Sequence, residues 1–257
     1  MTLSATIIAQ DEEAMLPGCL ESLRGFCDEI LVVDGGSRDR TRELALTAGA
    51  RVLERPFDDY ARQHEFARSE ARSEWILSID ADERASPELG RELGAALSSS
   101  PAAAFSLPFK NHFRGLWLQH GGLWPDRHVR LYRRDACAYD LSRPVHEKLL
   151  VRGSVAVLES PILHYTWGSL AQCLAKTSRY AERAAQARFA AGERAGAVHI
   201  VAKPLWRFFR AYVLRLGFLD GQAGATVAAL RAFEACAREA RLWELSRFPD
   251  AGRDSLG

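Results

Sequence analysis

Short apolar runs alternate with amphipathic segments over the first hundred residues of the chain. Four of these runs are predicted β-strands, at residues 3–9, 29–34, 51–54 and 75–79. Between the first two runs, apolar residues recur at the spacing of one helix face, at Leu16, Cys19, Leu20 and Leu23. Residues 60–71 form a second helical pattern. Because alternating strands and helices are typical of a parallel sheet covered by helices, the pattern predicts an α/β domain.

The pattern changes after the fourth strand. Ser86-Pro87-Glu88 predicts a helix start, with a capping hydroxyl, a proline at the first helical position and a carboxylate in the first turn. We expect this helix to end near Leu97. Three further β-like runs follow among Gly, Pro and aromatic residues, at residues 103–109, 128–133 and 155–158. From Ser169 the pattern is helical, with breaks at Gly192 and Gly196, so we predict a domain over residues 1–168 and a helical extension over 169–257.

Composition and charge limit the class of protein. The chain has 257 residues, 47% of them hydrophobic, which is enough for a sizeable core. Its formal net charge of +1 gives no overall basic footprint, so no nucleic-acid partner is expected. The five cysteines are dispersed and odd in number, which favours a reducing compartment. With neither a secretory signal pattern nor an apolar run long enough to span a bilayer, the sequence predicts a cytoplasmic location.

Acidic residues follow three of the four predicted strands. Asp11-Glu12-Glu13 follows the first strand, Asp34 ends the second, and Asp80-Ala81-Asp82-Glu83 follows the fourth. Ligands of open α/β sheets bind beyond the carboxyl ends of the strands. Carboxylates that converge there repel each other unless a cation offsets their charge, and Mg²⁺ or Mn²⁺ takes oxygen ligands of this kind. Each motif by itself is as compatible with an ordinary polar turn, but together they favour a metal-assisted site.

These motifs, taken in order, resemble glycosyltransferase family two. Three runs carry the resemblance, at residues 7–13, 29–41 and 77–83. It extends over nearly the whole chain through three further runs, at residues 145–148, 163–165 and 214–221. Within the family the chain is most similar to the subgroup that contains lipopolysaccharide core β-glucosyltransferases.

The resemblance implies a GT-A fold and inverting transfer of a sugar from a nucleotide-diphosphate donor to a hydroxyl of a glycan or glycolipid acceptor, in cell-envelope synthesis. It also implies a donor-binding half and an acceptor-facing half, residues 1–100 and 101–168. Asp34 would contact the base or ribose, and Glu12 lies in the stretch that lines the nucleotide pocket. Asp80 and Asp82 match the D-x-D motif, whose second carboxylate usually binds the Mg²⁺ or Mn²⁺ ion directly.

Two positions depart from the subgroup pattern. Asp11 stands where the subgroup commonly has Asn, and Gln63-His64-Glu65 stands where it commonly has Gln-Lys-Asn. Asp11 and Gln63 are still expected to contact the nucleotide sugar. Because a fixed cation is lost from the second motif, the choice of nucleotide stays open.

Inverting transfer needs a carboxylate that takes the proton of the acceptor hydroxyl. Glu147 is the first candidate, because it matches the family position where a catalytic Asp or Glu is expected. Asp126 is the second candidate. The alternative for Glu147 is a surface ion pair with Lys148 or Arg143.

Other polar and aromatic residues of the middle region allow two interpretations. Arg130 belongs to a cluster that either holds a diphosphate or an anionic acceptor, or lies on a solvated strand face; the other members are Arg127, Arg133 and Arg134. Arg130 is the member we assign to the nucleotide sugar. His164 is either a third metal ligand or a histidine that packs in the core or supports the metal ligands, and we favour the second interpretation. Packing is also the interpretation we favour for three aromatic residues that could stack on sugar rings, Trp117, Trp124 and Tyr132.

Basic and apolar residues are interleaved over residues 203–219, without an acidic residue. On a helical wheel four apolar residues form one stripe, Leu205, Phe209, Tyr212 and Leu216. We expect peripheral contact with the inner face of the cytoplasmic membrane, where a lipid-linked acceptor would be met; the alternative is a helix packed on the catalytic domain. Two other functions stay open from the residues alone, a sugar nucleotidyltransferase and a catalytically inactive nucleotide-sugar-binding protein on the same fold.

Overall fold

The computed structural model describes residues 2–142 and 148–248 and contains one large mixed sheet and one small one. The strands are β1 (Leu3–Ala9), β2 (Glu29–Asp34), β3 (Arg51–Glu54), β4 (Trp75–Ser78), β5 (Glu83–Ala85), β6 (Ala104–Phe113), β7 (Leu116–Trp117), β8 (Asp126–Arg133), β9 (Cys137–Tyr139), β10 (Leu149–Val151), β11 (Val155–Val157) and β12 (Ile162–Trp167). The large sheet has the order β3-β2-β1-β4-β8-β6-β12-β5, with β7 and β11 also paired to β6. β1 to β4 are parallel, and β4/β8, β8/β6 and β12/β5 are antiparallel pairs. The other sheet pairs β9 with β10.

Seven α-helices accompany the strands within the described residues. They are α1 (Leu16–Leu23), α2 (Thr41–Thr47), α3 (Tyr60–Glu70), α4 (Pro87–Ser99), α5 (Leu170–Ala190), α6 (Ala197–Phe209) and α7 (Gly221–Arg247). A π-helical turn at Arg210–Leu214 and a 3-10 turn at Gly217–Asp220 connect α6 to α7. None of these helices is both long and apolar enough to cross a membrane.

The chain divides into two compact units. The first consists of Met1–Lys110 and Pro125–Thr166, and the second of Asn111–Trp124 and Trp167–Gly257. The short segment Asn111–Trp124 therefore belongs with the C-terminal helices, whereas the sequence pattern grouped it with the α/β domain. The division of the chain into two domains after residue 168 stays a prediction.

The core of the first unit explains the apolar runs of the sequence. β1 and β4 lie in the middle of the large sheet and bury nearly every residue on both faces, so their sequences are continuous apolar runs without alternation. The four apolar residues predicted to share one face of α1 are all buried. In α4 the hydroxyl of Ser86 accepts a hydrogen bond from the backbone N–H of Leu89 at 3.2 Å, which confirms the predicted helix start.

In the second unit α5 and α6 both pack against α7. The carboxylate of Glu239 on α7 accepts hydrogen bonds from Arg188 of α5 at 2.6 Å and from Lys203 of α6 at 2.9 Å. Gly224 of α7 lies so close to the 3-10 turn that an added Cβ would come within 1.9 Å of the carbonyl oxygen of Gly217. Only glycine therefore fits at this position of the helix.

The sequence prediction for residues 203–219 is wrong beyond Phe209. The α-helix ends there, the π-helical turn shifts the positions of the side chains that follow, and Leu216 has a left-handed backbone conformation with φ of 58°. Leu216 therefore does not continue the stripe of Leu205 and Phe209. The basic and apolar segment consists of a helix followed by a tight turn.

Candidate active site

The carboxyl ends of β1, β2 and β4 meet at one edge of the large sheet. In the parallel register Ala9 pairs with Asp34, and Thr6 pairs with Ser78, so the loops after all three strands leave from the same edge. The structure thus brings the three predicted acidic motifs to one side of the first unit. This is the edge where an open α/β sheet binds its ligands.

Asp34 is a fully buried carboxylate at the end of β2. Its Oδ2 atom accepts hydrogen bonds from the backbone N–H groups of Gly36 and Ser37, each at 3.0 Å, and lies 4.0 Å from the Nε atom of Arg42. Its Oδ1 atom is buried and has no hydrogen-bond partner among the described residues. An unsatisfied buried acceptor is costly, so a ligand N–H or O–H that reached Oδ1 would be bound favourably.

Asp11 and Glu12 lie in the loop after β1 and are tied to the loop after β2. The backbone N–H of Asp11 donates to Ser37 Oγ at 2.9 Å, and the backbone N–H of Arg38 donates to Asp11 Oδ1 at 2.7 Å. The N–H of Glu12 donates to Thr41 Oγ1 at 2.8 Å. Asp11 has a left-handed backbone with φ of 55°, a conformation that Asp and Asn tolerate better than other side chains. Both predicted residues therefore lie at the same edge as Asp34, and the Asp11 carboxylate helps to order the two loops.

Gln63 is buried in α3 and bound to the loop after β3. Its Nε2 donates to the carbonyl of Arg55 at 3.1 Å, while the Arg55 guanidinium donates to Gln63 Oε1. The backbone N–H of Arg55 in turn donates to the carbonyl of Asp34 at 2.9 Å. Gln63 thus supports the loops around Asp34, and its contact with a nucleotide stays a prediction.

Asp80 and Glu83 are joined by one guanidinium. The Nη2 atom of Arg130 lies 2.8 Å from Asp80 Oδ2 and 2.7 Å from Glu83 Oε1. The backbone N–H of Asp80 also donates to Glu83 Oε2 at 2.9 Å. Arg130 lies where the register between β6 and β8 shifts, because Leu131 pairs with Phe105 but Val129 pairs with Ser106, which leaves Arg130 as an extra residue. Such bulges re-aim side chains and are common beside active sites.

The electrostatics of this trio follow from its burial and its single positive charge. Burial opposes ionisation of Asp80, but the charge and hydrogen bond of Arg130, together with the nearby imidazoles of His64 and His164, hold its pKa well below the usual range. Burial dominates at Glu83 and raises the pKa of that carboxyl well above its ordinary value. Burial likewise opposes the charge on Arg130, yet the two carboxylates raise the pKa of its guanidinium. Arg130 therefore stabilises the charged form of Asp80.

Asp82 forms a different group, with His164 of β12. The Nε2 atom of His164 lies 3.6 Å from Asp82 Oδ2, and the backbone N–H of Tyr165 donates to the Asp82 carbonyl at 2.9 Å. Antiparallel pairing of β12 with β5 places His164 opposite Glu83. One potential ligand atom from each of Asp82, Glu83 and His164 lies within 4.8 Å of the others. The side chain of His164 is 22% exposed and faces the acidic motif, and whether it binds a metal or supports the metal ligands stays a prediction.

The chemistry of this donor set fits a divalent cation. Two carboxylates and one imidazole suit Mn²⁺, and they suit Mg²⁺ when substrate phosphates and water supply further oxygen ligands. Glu83 is fully buried and already bound to Arg130 and to the backbone of Asp80, whereas Asp82 is partly exposed. Asp82 and His164 are therefore the more available ligands, and the role of Asp80 as a second carboxylate ligand stays a prediction.

Phe109 is a site residue that the sequence analysis did not single out. Its buried ring lies 5.0 Å from His128 and 5.8 Å from His164, both edge to face, and the Arg130 guanidinium lies 5.4 Å from the ring centre. The Phe109 ring thus packs against Arg130, which binds Asp80 and Glu83, and against His164, which faces Asp82. No sequence signal distinguished it from the other apolar residues of β6.

The four arginines near β8 do not converge on one site. Arg127 bonds to the carbonyl of Leu158 and to Glu159, Arg133 packs over Trp75, and Arg134 bonds to the carbonyl of Ala71. Only Arg130 contacts the acidic motifs, so the cluster does not form the diphosphate clamp considered from sequence. Tyr132 is buried in the core, as the packing interpretation predicted.

Of the two candidate bases, the structure describes Asp126 but not Glu147. Asp126 begins β8 and is half-buried, with His128 Nε2 3.1 Å from its Oδ1 atom. Glu147 lies outside the described residues, between Ser142 and Lys148. The described residue Lys148 accepts a backbone hydrogen bond from Asp140 at 2.9 Å through its carbonyl, directly before β10. The role of Glu147 stays a prediction.

A mixed sheet flanked by helices, with acidic loops at the carboxyl edge of its parallel strands, is the GT-A class of fold that the resemblance implied. Comparison with solved structures confirms this fold: residues 1–349 of TarS from S. aureus align with a TM-score of 0.50 at 13% identity, covering 100% of this chain and 94% of that one.

Sequence comparison identifies the family. The sequence model described as Glycosyl transferase family 2 matches residues 4–145. The chain is 31% identical over 254 residues to the lipopolysaccharide core biosynthesis glycosyltransferase LpsC of Rhizobium meliloti, covering 93% of this chain and 94% of that protein. It is 28% identical over 255 residues to an uncharacterized glycosyltransferase of Rickettsia typhi, covering 95% and 87%. The chain belongs to glycosyl transferase family 2. This membership disfavours the sugar nucleotidyltransferase considered above.

Proposed function

We propose that this protein is an inverting, metal-dependent glycosyltransferase that moves a sugar from a nucleotide diphosphate to a hydroxyl of a glycan or glycolipid. The observation that carries the proposal is the convergence of the unsatisfied Asp34 carboxylate and the Asp82–His164 pair at one edge of the sheet. The first suits a nucleoside and the second suits a cation that binds a diphosphate. The relation to LpsC supports an acceptor in the lipopolysaccharide core.

On the donor side, Asp34 Oδ1 would accept a hydrogen bond from the base or the ribose. Asp11 and Glu12 would line the same end of the pocket, and Gln63 would hold the loop beside it. Asp82 and His164 would bind the cation, with Asp80 as a further oxygen ligand when Arg130 releases it. A bound Mg²⁺ or Mn²⁺ neutralises charge that develops on the departing diphosphate. Arg130 would stabilise the same charge through its guanidinium.

On the acceptor side, Glu147 would remove the proton of the attacking hydroxyl. Its match to the family position supports this role, and Asp126 is the alternative base. Asp126 is paired with His128, which favours a role in ordering the acceptor side of the sheet. We further propose that the enzyme works in the cytoplasm, at the inner face of the membrane, where a glycolipid acceptor would be available.

A donor-hydrolysis screen tests the proposed function. Nucleotide sugars of different base and sugar are incubated with the protein in Mn²⁺, in Mg²⁺ and in EDTA, with water as the acceptor, and the released nucleoside diphosphate is measured. We expect one preferred nucleoside diphosphate product, formed only with added metal. Binding of a nucleotide sugar without release of any nucleoside diphosphate would instead indicate a catalytically inactive nucleotide-sugar-binding protein on this fold.

A further inference from the structure

The segment from Val198 to Leu219 exposes an unusually large number of apolar side chains. Val198 is 75% exposed, Leu205 66% and Trp206 55%. The other large apolar residues that are exposed here are Val201, Phe209, Val213, Leu214, Leu216, Phe218 and Leu219. Single exposed apolar residues are normal on a protein surface, but a contiguous set marks an interaction site. We call this set the apolar face.

The helical part of the apolar face points away from α7. Val198, Val201, Leu205 and Phe209 recur at intervals of three and four residues, which places them on one side of α6. On another side Lys203 binds Glu239 of α7 at 2.9 Å, and the Arg207 guanidinium lies 3.7 Å from Glu234 of α7. These ion pairs fix the orientation of α6 on its neighbour. The apolar stripe therefore has no partner within the described residues.

The rest of the apolar face is a tight turn. The π-helical turn and the left-handed Leu216 reverse the chain before α7. An added Cβ on Gly217 would come within 2.7 Å of the carbonyl oxygen of Ala211, so the turn is closely packed underneath. As a result Leu214, Leu216 and Leu219 are held on its outer side, 46% to 56% exposed. A packed turn that carries outward leucines and a neighbouring aromatic helix suits insertion into the interfacial layer of a bilayer.

Charge distinguishes the possible occupants of this face. The first unit has 19 Lys and Arg against 25 Asp and Glu, a net charge of −6, whereas the second has 15 against 8, a net charge of +7. His199, Arg210 and Arg215 are exposed beside the apolar face. A second copy of the chain would bring two positive units together, whereas an anionic lipid surface attracts them.

We propose that the apolar face is a membrane-docking surface that inserts into bilayers containing anionic phospholipid. This inference deepens the proposed function, since it names the surface by which the enzyme would reach a lipid-linked acceptor. The aromatic and aliphatic side chains enter the headgroup and upper acyl region, and the arginines beside them contact lipid phosphates. The site at the sheet edge takes no part in the binding.

Vesicle co-sedimentation without donor or metal tests the proposal. The full chain is mixed with vesicles of phosphatidylglycerol and phosphatidylethanolamine, or of phosphatidylcholine alone. The docking variant carries Leu205→Ser, Trp206→Ser and Phe209→Ser. A matched variant replaces three exposed leucines elsewhere by serine, Leu46, Leu116 and Leu150. Thermal unfolding checks that both variants fold.

We expect the wild type and the matched variant to bind the anionic vesicles and the docking variant to bind at least about a hundredfold more weakly. Arg210→Gln should weaken binding less, and an increase from about 0.1 M to about 1 M salt should weaken wild-type binding. The proposal is overturned if the wild type does not bind anionic vesicles, or if both triple variants bind them as strongly as the wild type does. It is also overturned if light scattering shows that the wild type is a dimer and that only the docking variant is a monomer. Donor hydrolysis in vesicle-free solution is expected to be equal in all folded variants, so failure of docking leaves the proposed function separately testable.

Discussion

The two units of this protein differ in which side chains they bury and which they expose. The first unit buries charged groups and holds them in place with backbone and guanidinium donors, as with Asp34 and Glu83. The second unit buries mainly small apolar residues of α7, with Glu239 as a paired buried carboxylate, and exposes large apolar residues around α6. Burial of charge is costly and persists where it creates a site, whereas exposure of apolar surface persists where a partner covers it. This difference is expected if the first unit carries the proposed site and the second carries the proposed docking surface.

The largest effect on activity is expected when one carboxylate is removed from the first unit. We expect Asp82→Asn to lower metal-supported turnover by about a thousandfold or more, because it removes an anionic ligand of the cation while keeping the size of the side chain. Nucleoside diphosphate release from the preferred donor measures this loss. Asp135→Asn, at a surface position that is 88% exposed, is the control and should keep full activity. Full activity of Asp82→Asn would remove the carboxylate from the mechanism.

Glu147→Gln separates proton removal from donor binding within the first unit. We expect sugar transfer to fall by about a hundredfold to ten-thousandfold while nucleotide and metal affinity stay nearly unchanged, because the base acts only on the acceptor. Transfer rates for Glu147→Gln and Asp126→Asn are compared with the same acceptor. A dead Asp126→Asn enzyme beside a nearly normal Glu147→Gln enzyme would reverse the two assignments.

Asp34→Asn tests the nucleoside end of the site. The amide oxygen of Asn can still accept from Gly36 and Ser37, but its NH₂ group would replace the Oδ1 acceptor. Affinity should therefore fall about tenfold to hundredfold for the free nucleoside diphosphate as well as for the nucleotide sugar. Calorimetric titration measures both ligands. If only the complete nucleotide sugar binds more weakly, Asp34 contacts the sugar and not the nucleoside.

The smallest effect is expected from Glu239→Gln in the second unit, and it concerns stability and not activity. Burial alone would raise the pKa of Glu239, but hydrogen bonds and charge from Arg188 and Lys203 lower it below its ordinary value of 4.5. The unfolded chain therefore binds the proton more tightly, so the stabilisation is fully present above about pH 4.5 and is lost as the pH falls through the lower folded-state pKa.

Glu239→Gln should accordingly lower the free energy of unfolding by about 2 kcal/mol at neutral pH and by less in acid. Chemical unfolding at several pH values measures the difference between variant and wild type. A difference that does not change with pH would mean that Glu239 is held by packing and not by its charge. Donor hydrolysis should stay unchanged in this variant.

The sequence predicted the first unit better than the second for a physical reason. β1, β2 and β3 were predicted to the residue, in β1 and β2 because buried parallel strands are continuous apolar runs between turn residues. The acidic loops after β1, β2 and β4 were predicted for a related reason, since strand ends determine where those loops lie. Such signals are local in the sequence.

Features that depend on distant contacts were not predicted. His164 faces Asp82 because β12 pairs with β5, and Arg130 reaches Asp80 because of a bulge opposite β6. Neither pairing leaves a periodic signal in the sequence. In the second unit the helical wheel failed at the π-helical turn, because the close approach of Gly217 and Gly224 requires a bend that apolar periodicity does not encode.

The proposed function depends on a cation at Asp82 and His164 that in turn binds a nucleoside diphosphate. The most direct measurement is the affinity of the preferred nucleoside diphosphate with Mn²⁺ and with EDTA, by calorimetry, for the wild type, Asp82→Asn and Asp135→Asn. We expect Mn²⁺ to strengthen binding at least about tenfold in the wild type and in Asp135→Asn, and to have no effect in Asp82→Asn. An equal gain from Mn²⁺ in all three proteins would contradict it.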